Sequence, residues 1–203
     1  FTVDYYYYYP DYVPAEWVLG LYSQADMRYN SYFYTLQTGH SHGLQWPLLV
    51  KYYGNQDFIN NAYIYHTVMP KPFRLAEQYL IRAEAYAMMG EGQKANADLT
   101  TLRRARIQNY GTAAHSDETL LEAIQEERAK ELLLEGFRLA DLKRWKKGFE
   151  RKPQSGALTG ALYSSLKVSG NDKKFTWPIP QHEISASGGC SRSSSSPFPP
   201  CDG

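Results

Sequence analysis

Three observations predict a mainly α-helical fold, in which TPR-like helical hairpins pack with an aromatic, loop-rich region containing short extended segments. Apolar residues recur at helical spacing between Pro72 and Gly148, with breaks at Gly90, Gly111 and Gly136. Fourteen of the 18 tyrosines lie in the first 65 residues, where no helical period is sustained. The final stretch, SASGGCSRSSSSPFPPCDG, is too rich in serine, glycine and proline to bury a core. The chain accordingly divides into an aromatic loop-rich region (1–71), helical hairpins (72–148), a connection with an extended closing segment (149–184) and a low-complexity tail (185–203).

The bulk composition narrows the function classes. At 203 residues the chain makes one good domain or two small ones. A net charge of +1 gives neither a nucleic-acid footprint nor a polybasic membrane patch. No apolar run approaches the roughly 20 residues of a membrane-spanning helix. The chain begins at Phe1 without an initiator methionine, a signal-like leader or a cysteine that could carry lipid. The expectation is a piece of a longer protein, or a processed form.

In the first region, Tyr5 to Tyr9 form an unbroken run closed by Pro10, which suits an extended segment. Trp17, Val18, Leu21 and Tyr22 match a short helix over 15–22. Gly39, Gly43 and Pro47 punctuate a loop that carries His40, His42 and Trp46. Extended segments are expected over 48–53 and 62–68. Pro72 then suits the first turn of a helix whose apolar face is Leu75, Ala76, Tyr79, Leu80, Ala83, Tyr86 and Ala87. Gly90 ends it as a left-handed C-cap. A second helix is expected over 93–108. A third starts with Ser116 as N-cap, and Asp117 and Glu118 favour its positive end. A fourth follows Gly136 and ends among Lys143, Arg144, Lys146 and Lys147. Further on, FTWPIPQHEI (175–184) holds two prolines and alternating apolar residues. It reads as an extended segment pressed onto the helices.

The stretch from Ile124 to Trp145 places charges on faces that should be apolar. Leu120, Ile124 and Leu132 share a side with Arg128, Glu131 and Glu135. Asp141 falls between Phe137 and Trp145 on the next helix. Buried charges are costly unless paired. Arg128, Glu131, Glu135, Arg138, Asp141 and Arg144 sum to zero, which predicts a self-paired structural network.

The same residues carry a family resemblance. EQYLIRAEAY (77–86), Gly90, Ala97-Asp98-Leu99, Arg103 and Arg106 are similar to the SusD/RagB family. So are Glu127-Arg128, Glu131-Leu132, Glu135-Gly136, Arg138, Asp141-Leu142 and Arg144-Trp145. Ala25-Asp26-Met27-Arg28, Lys51-Tyr52 and Trp177-Pro178-Ile179-Pro180 with Glu183 fit in the same order, over about residues 18–184. The resemblance implies a surface-exposed lipoprotein of the outer membrane in Bacteroidetes-type bacteria. Such a protein captures oligosaccharide or polysaccharide for a SusC-like TonB-dependent transporter and catalyses nothing. It implies that this chain is the C-terminal part, with membrane contact through a lipid anchor absent from it. The tail departs from the family's usual ending and reads as non-native sequence or a disordered segment.

The acidic residues of the 124–145 stretch admit a catalytic and a structural reading. Glu127, Glu131 and Glu135 at i, i+4 and i+8 form a carboxylate ladder, and a glycosidase needs two carboxyls facing one sugar. Arginines at hand make structural pairing the stronger reading, so no catalytic residue is expected. His40 and His42 without a neighbouring Cys, Asp or Glu are poor metal ligands, and neither a metal nor a cofactor is expected. Cys190 and Cys201, a pair that an exported protein could bridge, both lie in the tail. Glycan stacking falls instead to the aromatic region, because flat rings match the apolar faces of sugars and tyrosine adds a hydroxyl. Tyr8, Tyr9, Tyr12 and Trp46 are the candidates. The alternative is a TPR-like scaffold whose aromatic surface binds protein.

Overall fold

In a computed structural model, the chain is described over residues 2–4, 7–9, 14–37, 45–52, 71–112, 114–150, 167–178 and 180–186. Tyr12, His40, His42, the 62–68 segment, Cys190 and Cys201 lie outside these residues. The fold is mainly helical with a few short strands. Its centre is three helices: α3 (Leu75–Met88), α4 (Gly92–Arg104) and α5 (Asp117–Glu131). Before them come hairpin β1 (Thr2–Asp4) and β2 (Tyr7–Tyr9), helices α1 (Glu16–Leu19) and α2 (Met27–Tyr32), and hairpin β3 (Phe33–Gln37) and β4 (Gln45–Leu49). After them come α6 (Arg138–Arg144), hairpin β5 (Phe149–Glu150) and β6 (Lys167–Val168), and α7 (Gln181–Ala186). All three hairpins are antiparallel.

The main core lies where α3, α4 and α5 meet. Leu80, Ala83, Ala95, Leu99, Leu120 and Ile124 are all but inaccessible there. Ala83 and Ala95 have no bulk beyond Cβ, so α3 and α4 approach closely. Each buried leucine or isoleucine adds roughly 1.5–3 kcal/mol. The turn between α3 and α4 is built on Gly90 at φ +76°. The Glu91 N–H donates to the Tyr86 carbonyl and the Gly90 N–H to the Ala87 carbonyl, which satisfies the last carbonyls of α3. A second core of Val18, Tyr22 and Phe33 docks on Leu133. The Tyr22 hydroxyl donates to the Lys130 carbonyl at 2.9 Å. A third gathers Leu142, Val168 and Phe175.

Several expectations are corrected by long-range contacts. The second helix stops at Arg104, not Gln108, because the next residues pair with the front of the chain. Ile107 bridges Asp26, the Met27 N–H donates to the Arg106 carbonyl, and the Gln108 N–H donates to the Ala25 carbonyl, both at 2.9 Å. Pro72 precedes α3 rather than opening it, and Arg74 holds the N-cap position. The first short helix is confined to Glu16–Leu19, leaving Leu21 and Tyr22 in the following turn. Ser116 is at the N-cap of α5, but its hydroxyl meets Thr119 Oγ1 at 3.2 Å and caps no backbone N–H. The 48–53 segment is strand only to Leu49 and turns at Lys51 and Tyr52.

The closing segment differs most. Phe175 is buried at the end of a 3-10 turn, whereas Trp177 is 84% exposed. Its side chain does not press onto the helices. Pro180 forbids a helix only upstream of itself, and α7 starts at the next residue.

Candidate functional site

The most heavily connected polar centre is where α5 meets α2, α4 and the N-terminus of α3. Asp26 caps α2, and its carboxylate takes the Arg28 N–H at 3.0 Å, Nε at 2.9 Å and Nη2 at 2.7 Å. So held, the Arg28 guanidinium reaches both glutamates of α5. Its Nη1 donates to Glu131 Oε2 at 3.0 Å, and its Nη2 sits 2.7 Å from Glu127 Oε1. That second contact is an ion pair without the direction of a hydrogen bond. Arg103 of α4 supplies Glu127 Oε2 through Nε at 2.8 Å.

Glu131 is fully buried and serves three arginines. Besides Arg28 it accepts from Arg74 Nη1 at 2.8 Å and from Arg106 Nε and Nη2, both at 3.0 Å. Burial pushes its carboxyl up, but hydrogen bonds from Arg106 and Arg74 and the charges of Arg106 and Arg28 outweigh this and hold it down at about 2. Glu135 lies beyond the end of α5, so the i, i+4, i+8 ladder is broken after Glu131. It is reached by Lys51 Nζ at 2.6 Å and by Arg74 Nη2 and Nε at 2.6 and 2.9 Å. Lys51 Nζ also donates to the carbonyls of Glu131 and Leu133 at 3.0 and 2.9 Å, and Arg74 Nη2 to that of Glu131 at 2.9 Å. Two cations thereby satisfy the open carbonyls at the negative end of α5.

A second, smaller centre joins α3, α5 and α6. Arg128 Nε and Nη2 embrace the Asp141 carboxylate, each at 3.0 Å. Arg144 Nε donates to Asp141 at 3.0 Å, and its Nη1 and Nη2 grip Glu84. The Trp145 indole N–H also donates to Glu84, at 2.7 Å. The six charges singled out from sequence therefore divide between two places. Glu131 and Glu135 join the first, and Arg128, Asp141 and Arg144 the second. Arg138 feels the Asp141 charge but makes no direct ion pair among the described residues, and its guanidinium carbon lies 5.8 Å from the Trp17 ring centre.

Sequence reasoning placed the charges on α5 but missed the partners that reach them, Arg28, Lys51, Arg74, Arg103 and Arg106 for the first centre and Glu84 for the second. Most of them sit in motifs of the resemblance, so the signal was present, although spacing along one helix does not reveal it.

Chemically, the first centre is a clamp. A general acid in glycoside hydrolysis needs a raised pKa and access to the leaving oxygen. Glu131 has a lowered pKa and no exposed surface. Among the described residues, no group of three His, Cys, Asp or Glu side chains is placed to hold a metal ion. Among them too, no helix is long and apolar enough to cross a membrane.

Of the glycan-stacking candidates, Tyr8, Tyr9 and Trp46 fall in the hairpins, and Tyr12 lies outside the described residues. Tyr8 and Tyr9 lie in β2, where they pair with Val3 and Thr2 of β1. Trp46 lies in β4 opposite Leu36. Of the front tyrosines, Tyr22 packs inside and meets Phe33 edge to face at 5.4 Å. Tyr34 is 58% exposed.

A family model, that of the SusD family, matches residues 2–193. The fold is similar to the crystal structure of a SusD-like carbohydrate binding protein from Bacteroides vulgatus ATCC 8482, with 23% identity and a TM-score of 0.63. The alignment covers 86% of this chain and 40% of that one, so the chain spans well under half of that relative's length. No curated protein matches it.

Proposed function

The chain belongs to the SusD family, and from that membership we propose that it is a cell-surface glycan-binding component of a SusCD-like uptake system. In this reading it captures oligosaccharide or polysaccharide at the outer face of the outer membrane, where a lipid anchor tethers it. It delivers the glycan to a TonB-dependent transporter. The observation that carries the reading is the family match along residues 2–193. The fold shared with a carbohydrate binding protein supports it.

Binding here is non-covalent. Tyr8, Tyr9, Tyr12 and Trp46 stack on sugar faces, and hydroxyls and amides select among sugars. The two charge centres hold the scaffold and contribute no chemistry to the ligand.

A second reading is a protein-interaction scaffold without direct glycan contact. Exposed apolar residues towards the C-terminal end of α3 favour it, because Ile81 and Met88 share one helix face and are 46% and 76% exposed, beside Met89 at 69%. A polysaccharide panel combined with capture of the transporter separates the two. Retention on at least one glycan supports the first reading. Capture of the transporter with no retention on any glycan supports the second.

A further inference from the structure

The connection from α4 to α5 is pinned to the rest of the fold at three points. At its start, Ile107 bridges Asp26, and the Gln108 N–H donates to the Ala25 carbonyl at 2.9 Å. At its end, the Asn96 side chain clamps the His115 backbone, accepting its N–H at 2.8 Å and donating to its carbonyl at 3.0 Å. The third point is a single nitrogen of α4. Arg103 Nη1 donates to Tyr110 Oη at 3.2 Å and meets His115 Nε2 at 2.8 Å.

The contact with His115 holds only while the ring is neutral. A guanidinium is always protonated and has no acceptor, so Nε2 accepts and the ring carries its proton on Nδ1. A proton added to Nε2 sets N–H against N–H and cation against cation. Arg103 is held in place, because its Nε donates to buried Glu127 at 2.8 Å and its Nη2 to the Ala123 carbonyl at 3.4 Å. The half-buried ring is therefore the partner that leaves. Charged and titratable groups meet His115 around one cleft from each packed element: Arg103 from α4, Tyr110 from the connection, Glu126 and Lys130 from α5, and Asp26 from the 21–26 segment. Glu126 is paired with Lys130 at 3.0 Å and Asp26 with Arg28 at 2.7 Å. Burial and the Arg103 charge push the His115 pKa below its ordinary value, against a smaller upward pull from Glu126.

We infer that His115 is an acid-released latch on the α4–α5 connection. Its sign follows from the lowered pKa. Once the connection opens, the ring returns to an ordinary value near 6.5, and it then takes up a proton that the closed form refuses. The latch is at full strength above 6.5 and weakens as pH falls below it. The clamp on α5 does not follow, because Glu131 stays ionised down to about 2. Between these limits the connection opens while α3, α4 and α5 remain packed. This device goes beyond the glycan-binding reading and does not depend on it.

NMR titration of the His115 ring and amide hydrogen exchange of the full chain, from about pH 7.5 down to about 4, test it. The expected ring pKa lies below 6.5. Protection of the His115 N–H, corrected for the intrinsic pH dependence of exchange, should fall below that pH by up to about tenfold per unit, as one linked proton requires. The amides of Leu99 and Ile124 in the helical core should keep theirs. His115→Gln offers Arg103 an amide oxygen that does not titrate, so protection at position 115 should stay flat across the range. His115→Ala should show the low, acid-like protection already at neutral pH. A ring pKa at or above 6.5 overturns the proposal, and this measurement on the wild type decides even if a variant does not fold. So does protection that stays flat in the wild type, or that falls equally in His115→Gln. Loss of protection at Leu99 and Ile124 over the same window also overturns it, since the whole fold then opens rather than the connection.

Discussion

Replacing Glu131 with glutamine keeps the shape of the side chain and removes its charge. The wild-type carboxylate accepts from Arg28, Arg74 and Arg106, with no surface exposed to water. Its pKa falls from an ordinary 4.5 to about 2, which at about 1.4 kcal/mol per pKa unit amounts to about 3 kcal/mol of stabilisation at neutral pH. Breaking a buried pair and stranding its arginines costs about 3–5 kcal/mol in other proteins. Urea unfolding at pH 7 should therefore give Glu131→Gln a stability lower by about 3–5 kcal/mol, with the m-value unchanged. The sign of the pH dependence follows from the lowered pKa. This carboxylate's contribution is complete above 4.5 and is lost as pH falls towards about 2. The gap between wild type and variant should narrow over that window, since glutamine does not titrate. A difference below about 1 kcal/mol at pH 7, typical of an exposed pair, would refute the reasoning. So would a gap that stays constant down to pH 2.

Other substitutions probe the frame around that centre. Asp26→Asn leaves an equally good helix cap but removes the charge facing Arg28, so thermal unfolding should report a loss of about 2–3 kcal/mol. A loss of a few tenths would mean that the cap alone matters. Gly136 has φ +85°, and a Cβ added there meets nothing within 4 Å. Gly136→Ala should cost about 1–2 kcal/mol from backbone strain alone, read by chemical denaturation. Trp177→Ala should change stability by no more than about 0.5 kcal/mol, because the ring is 84% exposed. A loss above 2 kcal/mol would return this residue to the core.

The helical centre was legible because burial imposes a period. Leu80, Ala83, Leu99 and Ile124 recur at the spacing that one buried face requires. Gly90 was legible for a local reason, since a left-handed turn favours glycine. The end of α4 was not, because it is set by backbone pairing between Ile107 and Asp26 from distant parts of the chain. The charge centres were half legible. Charges on the apolar side of α5 announce buried pairs, but Arg28 and Arg74 come from other elements. Trp177 misled because alternation among prolines resembles a buried strand, whereas the prolines here lead into a short helix. Tyrosine content marked the front of the chain without separating packing rings such as Tyr22 from rings free to stack.

Ligand binding is proposed for the aromatic residues at the front of the chain, and stability for the clamp on α5. Calorimetric titration of a glycan retained from the panel onto wild type, Trp46→Ala and Glu131→Gln separates these roles directly. The prediction is that Trp46→Ala loses affinity by roughly tenfold with an unchanged unfolding midpoint, as expected for one lost stacking ring. Glu131→Gln should bind with near wild-type affinity while it remains folded, despite its lower midpoint. Unchanged affinity in Trp46→Ala together with lost affinity in folded Glu131→Gln would contradict this division of roles.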